Sequence, residues 1–351
     1  MTKVVGIDAG PAPWNVGRCF VIAEAGINHN GDLLLAMELI DAAVASGADA
    51  VKFQTFVAEK VVAPTARKAE YQVATTGSGE TQLEMVRKLQ LPLEAFGKLK
   101  ACCEERGIVF LSTPFDEDSV DFLDSIGVVA FKIASGEVPD IYFIRYVADK
   151  GKPIILSTGM ADLEEVRVAV EAIRRGGPGP FALLHCVTSY PARPASANLR
   201  AMETLRAEFS CAVGFSDHTL GTEIATAAVA LGASVIEKHI TLDKRMPGPD
   251  HAASLEPEEF KGMVAGIRKV ESAMGDGVKR PAAEELPLIA VARRSLAAAQ
   301  DLAAGTVLSG KHITALRPGT GLAPRLRESL IGRKTRRAVP AGALFTMEAF
   351  E

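Results

Sequence analysis

Eight short apolar runs, beginning near residues 19, 50, 109, 129, 153, 181, 212 and 234, alternate with longer helical patterns along most of this chain. Strands that are apolar on both faces and separated by helices belong to a parallel sheet covered on both sides. Most of the helical patterns stop at a glycine. LLLAMELIDAAVASG ends at Gly47, LEAFGKLKACCEERG at Gly107 and SVDFLDSIG at Gly127. LEEVRVAVEAIRRGG ends at Gly176, EIATAAVALG at Gly232 and EEFKGMVAGIRKVESAMG at Gly275. A glycine just past a helix takes the left-handed turn without a Cβ penalty, and a strand can follow at once. Eight such units close a barrel more naturally than an open sheet. The expected class is α/β, a (β/α)8 TIM barrel with a small β-rich domain behind it.

Length agrees with that division. A barrel takes ~250 residues, and the chain has 351. The barrel is expected over residues 1–275. A proline-bearing polar linker (GDGVKRPAAEELPL) is expected over 276–292, and a loop-rich module over 293–351. Within the module, DLAAGTVLSGKHITALRP and AVPAGALFTMEAF rhyme, each reading AG, aliphatic residues, then a short helix start. No apolar run approaches the ~18 residues of a membrane span. The N-terminal MTKVVGIDAGPAPWNVG lacks the apolar core of a signal peptide. The five cysteines (Cys19, Cys102, Cys103, Cys186, Cys211) are odd in number and lie within strand or helix patterns. Reduced thiols in a cytoplasmic protein account for them.

The charge is unevenly spread. Residues 285–351 hold ten basic residues against five acids, a surplus of +5, which leaves −9 for the rest of a chain whose net charge is −4. No aromatic residues interleave with these arginines, so no nucleic-acid partner is expected. Neither GxGxxG after the first strand nor GxxxxGK[ST] occurs, which removes the two common nucleotide folds.

Polar residues cluster where the apolar runs end, the place where a barrel builds its active site. Glu24 follows CFVIA, Lys52 and Gln54 lie in AVKFQ, and Thr113 follows VFLS. Lys132, Ser135 and Glu137 follow AFKIA's start, Ser157 follows PIIL, Tyr190 closes FALLHCVTSY, and Ser216 lies in GFSDH. Glu24 is either a general acid or base or a charge at a loop start, and the position at a barrel mouth favours chemistry. Two ammonium groups, Lys52 and Lys132, pointing into that mouth suit a dianion such as a phosphate ester. The hydroxyls of Thr113, Ser135, Ser157 and Ser216 would complete the anion's hydrogen bonds. His218 and His239 can converge from adjacent strands on one divalent ion with open positions, an incomplete set for structural zinc but suited to Lewis-acid work. Both could equally be histidines satisfied by hydrogen bonds. His185 reads as structural, His29 as a residue that orients Glu24 or lines the rim, and Asp250 as a contact for a substrate hydroxyl. Asp217 has no assigned role.

The phrases FVIAEAGINHNGD, ADAVKFQTF, FLSTPFD, FKIASGE, KPIILSTGM, LLHCVTSYP, VGFSDHTLG, IEKHITLDKRMPGPDHAASLEP and LRPGTG occur in this order. Together they resemble the sialic acid synthase family, and the tail is similar to that family's antifreeze-like (SAF) domain. The resemblance implies condensation of phosphoenolpyruvate with N-acetylmannosamine to give a nine-carbon 2-keto acid and phosphate. It also implies a divalent metal, manganese or magnesium, and a domain-swapped homodimer in which each tail caps the partner's barrel. Position by position, Lys52, Thr113, Lys132, Ser135, Ser157 and Ser216 match phosphoenolpyruvate contacts, and His218 and His239 match metal ligands. Glu24 matches the acid that handles water and the reacting oxygens. Gln54, Glu137, Tyr190 and Asp250 match sugar contacts, and Arg317 matches an arginine reaching toward the N-acetyl group.

Two further readings stay open. Legionaminic and pseudaminic acid synthases run the same reaction on a 2,4-diacetamido-2,4,6-trideoxy sugar, and HCVTSYP stands where some sialic acid synthases read CTN before Tyr-Pro. A non-catalytic sugar- or ice-binding protein would explain the tail but leave the polar strand ends without purpose. Residues 57–90 read as a long loop over the mouth, either a lid or a plain surface excursion.

Overall fold

A computed structural model of the chain describes residues 12–177 and 179–351. The segment 1–11, which holds most of the stretch read as lacking a leader, lies outside the described residues. The chain divides into two compact units, one ending at Asp276 and the other running from Gly277 to Glu351.

The first unit is the expected barrel. Its strands are β1 (Phe20–Gly26), β2 (Ala50–Thr55), β3 (Val109–Pro114), β4 (Phe131–Ile133), β5 (Ile154–Ser157), β6 (Phe181–Cys186), β7 (Ala212–Asp217) and β8 (Val235–His239). They form one sheet in the order β3-β2-β1-β8-β7-β6-β5-β4, and every ladder in it is parallel. β3 and β4, the two ends of that order, lie side by side and close the ring.

Helix α1 (Leu33–Ala45) follows β1. After β2 come three short helices, α2 (Ala58–Val61), α3 (Glu70–Thr76) and α4 (Gln82–Leu89), before α5 (Leu93–Arg106) packs outside the ring. Residues 57–90 are therefore a helical insertion and not the loop expected. The remaining outer helices are α6 (Glu117–Ser125), α7 (Ile141–Ala148), α8 (Leu163–Gly176), α9 (Ala201–Phe209), α10 (Glu223–Ala230) and α11 (Pro257–Met274). Four of them start on an aspartate whose carboxylate accepts from the first-turn amides: Asp32, Asp116, Asp140 and Asp162. Such a cap satisfies donors the helix leaves orphaned.

Side chains alternate in and out along each strand. The outward ones, with the helix faces, form the larger apolar core. The inward ones stack in layers. Phe20, Ile22, Ala50, Leu111, Ala130, Ile155, Ala182, Leu184 and Val235 fill the lower barrel, and Ala12 and Trp14 belong to the same cluster. One layer higher the inward positions turn polar: Glu24, Lys52, Thr113, Lys132, Ser157, Ser216 and Glu237, all buried. The barrel thus has an apolar floor and an ionisable upper layer.

The second unit begins with a 3-10 turn (Ala283–Glu285) and α12 (Leu286–Ala292), so the stretch read as linker carries a short helix. Antiparallel strands β9 (Ser295–Ala298) and β10 (Ile313–Leu316) follow, with a one-turn helix α13 (Arg327–Leu330). The rhyme in sequence is a rhyme in structure. Gly305 and Gly342 take left-handed φ values of 82° and 80°. Each is followed by a 3-10 turn at the same offset, Gly310–His312 and Met347–Ala349. Leu296, Leu308, Leu330, Phe345 and Phe350 make up a separate small core. Among the described residues, no helix is long and apolar enough to cross a membrane.

Candidate active site

The C-terminal ends of the strands open into a cavity of about 400 Å³. It gathers Glu24, Lys52, Gln54, Thr113, Lys132, Ser135, Ser157, Tyr190, Ser216, His218 and His239, the greater part of the residues singled out in the sequence. The parallel register explains why: Glu24 of β1 lies level with Lys52 of β2 on one side and His239 of β8 on the other.

The two lysines are not free cations. Lys52 Nζ lies 2.6 Å from Glu24 Oε2 and 3.7 Å from Glu237 Oε2, and it donates to Thr113 Oγ1 at 2.9 Å. Lys132 Nζ lies 3.7 Å from Glu237 Oε1, which also accepts from Ser216 Oγ at 3.0 Å. Glu237 was missed in the sequence, yet it sits between both ammonium groups. Two carboxylates therefore balance the charge expected to greet a dianion, and any phosphate ester competes with them.

Burial acts differently on the two acids. It pushes the Glu24 carboxyl up to about 7, against the opposing pull of Lys52 and with help from the charge of Glu237. Burial also acts upward on Glu237, but Lys132 and Lys52 outweigh it and hold that carboxyl down to about 2. Burial works against the Lys52 ammonium, and the two carboxylates more than compensate, so its pKa lies above the ordinary lysine value. Lys132, with weaker partners, is lowered by burial.

At the far side of the cavity, hydroxyls and a glycine make a small polar cradle. Ser157 Oγ is buried without a hydrogen-bond partner. Ser135 Oγ accepts the Gly159 amide at 2.9 Å and touches Cys186 Sγ at 3.1 Å. A Cβ at Gly159 would lie 2.3 Å from Thr188 Oγ1 and 2.7 Å from Cys186 Sγ, so this approach requires glycine. An unpaired buried hydroxyl beside a close-packed loop is a place where an anionic oxygen gains hydrogen bonds.

His218 and His239 face each other with ring centroids 5.6 Å apart. His218 Nδ1 donates to the Val187 carbonyl at 2.8 Å, which leaves a lone pair on Nε2. His239 Nδ1 is buried without a hydrogen-bond partner. Burial lowers both imidazole pKa values, and the proximity of His218 lowers that of His239 further, so the rings are neutral as metal ligands must be. This donor pair fits a divalent ion held by two protein nitrogens. Among the described residues no group of three His, Cys, Asp or Glu is placed to hold a metal.

Tyr190 lies against His218 (4.2 Å between centroids) and carries Tyr71 of α3 on its other side at 5.2 Å. Tyr71 and Gln82 of the helical insertion both line the cavity, so that insertion roofs part of the site. Gln54 donates to Glu24 Oε1 at 3.2 Å. Asp250 lies just outside, in an adjoining chamber of about 200 Å³ shared with Tyr190 and His239, and burial raises its carboxyl to about 6.

Other expectations meet a different outcome. Glu137 sits in the turn after Ser135 but does not line either space. Arg317 follows β10 in the second unit. His29 does not orient Glu24: its Nδ1 accepts the Gly31 amide at 3.0 Å and its ring packs on Phe53, ordering the INHNG turn. His185 is structural as expected, with Nε2 at 2.8 Å from the Ala197 carbonyl. Asp217, left without a role, pairs with Lys238 at 2.7 Å on the outward side of β7 and β8.

The pattern of the NeuB family matches residues 39–279, and that of the SAF domain matches residues 293–351. N,N'-diacetyllegionaminic acid synthase of Legionella pneumophila is 48% identical over 95% of this chain and 95% of its own. The protein of the same name from Campylobacter jejuni is 47% identical over 90% of this chain and 95% of its own. The crystal structure of N-acetylneuraminic acid synthetase from Leptospira borgpetersenii, in complex with citrate, is similar with a TM-score of 0.70. It is 37% identical, covering 78% of this chain and 90% of that one.

Proposed function

The chain belongs to the NeuB family and ends in a SAF domain, and from that premise we propose that it condenses phosphoenolpyruvate with an N-acetylated amino sugar and water, forming a 2-keto sugar acid and phosphate. Of the two sugars expected from the sequence, the 2,4-diacetamido-2,4,6-trideoxy hexose is better supported than N-acetylmannosamine. The two relatives of nearly half-identical sequence carry the name of the enzyme making the diacetamido product. The observation that carries the reaction is the buried upper layer of the barrel, where Glu24, Lys52, Lys132 and Glu237 interlock beside two neutral histidines.

Lys52, Lys132 and the hydroxyls of Thr113, Ser135, Ser157 and Ser216 bind phosphoenolpyruvate and turn its C3 toward the sugar aldehyde. His218 and His239 would hold a manganese or magnesium ion, which when bound supplies Lewis-acid polarisation of a carbonyl oxygen. A C–C bond forms between C3 and the aldehyde carbon. The electron-poor C2 then takes the oxygen of a water, one of whose protons passes to Glu24 and from it to the former aldehyde oxygen, where it neutralises the charge left by C–C bond formation. The C2–O bond to phosphate breaks as the remaining hydroxyl proton leaves with the phosphate, and C2 becomes the keto carbon. A carboxylate poised near neutral pH is suited to that transfer. Gln54 keeps Glu24 aimed, and Tyr71 with Tyr190 excludes bulk water from the mouth. Positioning and charge placement supply most of the acceleration.

Arg317 and the exposed apolar side chains of α12 extend the reading to assembly. Leu286, Leu288 and Val291 are exposed on that helix, and the tail is basic where the barrel is acidic. The partner that fits is a second copy in the cytoplasm, with Arg317 serving the sugar of its neighbour. Phosphate release from phosphoenolpyruvate with manganese, assayed separately with each sugar, tests the reaction. Release with the diacetamido sugar is expected, and silence with both from folded, metal-loaded protein would overturn it.

A further inference from the structure

The chamber of about 200 Å³ beside the polar cavity has a different chemistry from it. Gln54, Tyr190 and His239 line both spaces, which therefore open onto one another. A sugar whose aldehyde sat at the histidines would have this chamber within reach of its far carbons, since Tyr190 and His239 border both spaces. Its walls are Phe56, Val62, Met85, Val86, Leu89 and Phe115. Half of these come from the insertion helices, and Phe56, Met85 and Leu89 form a buried apolar cluster of their own. Its polar residues lie mostly on the side of the polar cavity: Gln54, Tyr71, Gln82, Tyr190 and His239 line both spaces, and Gln72 and Asp250 line this one alone. Gln72 Oε1 accepts the Ala69 amide at 2.9 Å.

The apolar corner made by Phe56, Met85, Val86 and Leu89 discriminates between sugars by what it fails to offer. A hydroxyl carried at C6 into that corner would lose its water there, whereas a methyl loses nothing. A second acetamido group at C4 has an amide for Gln82 and a methyl for the apolar wall. We propose that the chamber under α2–α4 is the specificity pocket for the far end of the sugar, selecting a C6 methyl through Met85 and Val86 and a C4 acetamido group through Gln82. The inference rests on the condensation reaction proposed above and names the feature that chooses its substrate.

The test compares kcat/KM on three sugars with phosphoenolpyruvate and manganese. They are N-acetylmannosamine, its 6-deoxy analogue, and the 2,4-diacetamido-2,4,6-trideoxy sugar. Each step along that series should gain about 10-fold, giving about 100-fold overall, the scale on which an apolar pocket rejects an added hydroxyl. Met85→Gln should narrow the gap between the first two sugars about 10-fold. Val86→Thr, nearly isosteric and half-buried, makes the same test if that variant does not fold. Gln82→Ala should shrink the advantage of the diacetamido sugar over the 6-deoxy sugar through KM. Equal rates on the first two sugars, or variants that scale all three alike, would overturn the pocket while leaving the reaction standing. No phosphate release with any of the three would overturn the reaction itself and the pocket with it.

Discussion

Glu24 and Glu237 share Lys52, yet their surroundings push their carboxyls in opposite directions. Titratable groups driven apart in this way divide acid and base work between them. Glu24, pushed up to about 7 by burial, must lose its proton before it can take one from water. Turnover should therefore rise with pH through a limb near 7, seen in the pH profile of kcat; a limb near the ordinary glutamate value would contradict this role. Glu24→Gln should bind both substrates, by calorimetry, and lose about 10²–10⁴-fold in kcat. At Gly159, a methyl group cannot enter without displacing Thr188 and Cys186. Gly159→Ala should accordingly raise KM for phosphoenolpyruvate at least tenfold, with a smaller change for the sugar. Most of this layer was legible because polar residues interrupt apolar runs at the strand ends. Glu237 was passed over, although His239, two positions on in the same strand, had been singled out. Period-two alternation puts both on the inward face and turns Lys238 outward.

Among the elements, strands were read to within two residues, since eight apolar runs bounded by turns leave little freedom in where a ladder begins. Helix α9 escaped for a local reason. The expected stop signal was glycine, whereas α9 ends at Ser210, which takes the left-handed conformation at φ 50° without being one. The insertion α2–α4 escaped because its helices are too short for periodicity to emerge, and α3 buries no side chain. A helix with no buried face is stabilised mainly by what it lies on. Amide exchange across residues 58–89 should slow when sugar and phosphoenolpyruvate are bound together, and unchanged exchange would argue against a roof that responds to substrate. Outside the barrel, Lys238 and Asp217 hold β7 to β8 with both side chains fully buried. Removing one partner leaves a buried unpaired charge, so Lys238→Met should cost about 3–5 kcal/mol in denaturant unfolding. Replacing both by apolar residues should recover most of it.

At the scale of the whole molecule, the proposed dimer rests on charge and exposure. Residues 285–351 carry a surplus of +5 and the rest of the chain −9, and α12 displays Leu286, Leu288 and Val291. Sedimentation should give the mass of two chains. Leu288→Glu should give one, with the barrel's circular dichroism retained and turnover lost; a monomeric, fully active wild type would exclude the shared site. The sequence pattern changes after Gly275 and the two compact units part at Asp276, but the helix at 286–292 was not legible, because an apolar run behind a proline reads as linker. The chain contains one tryptophan, and Trp14 is buried with the apolar side chains that fill the lower barrel, away from the ionisable layer. Its emission is thus a built-in optical gauge of whether the ring is closed, insulated from events at the other mouth. Fluorescence can follow the opening of the barrel floor on unfolding without added dye.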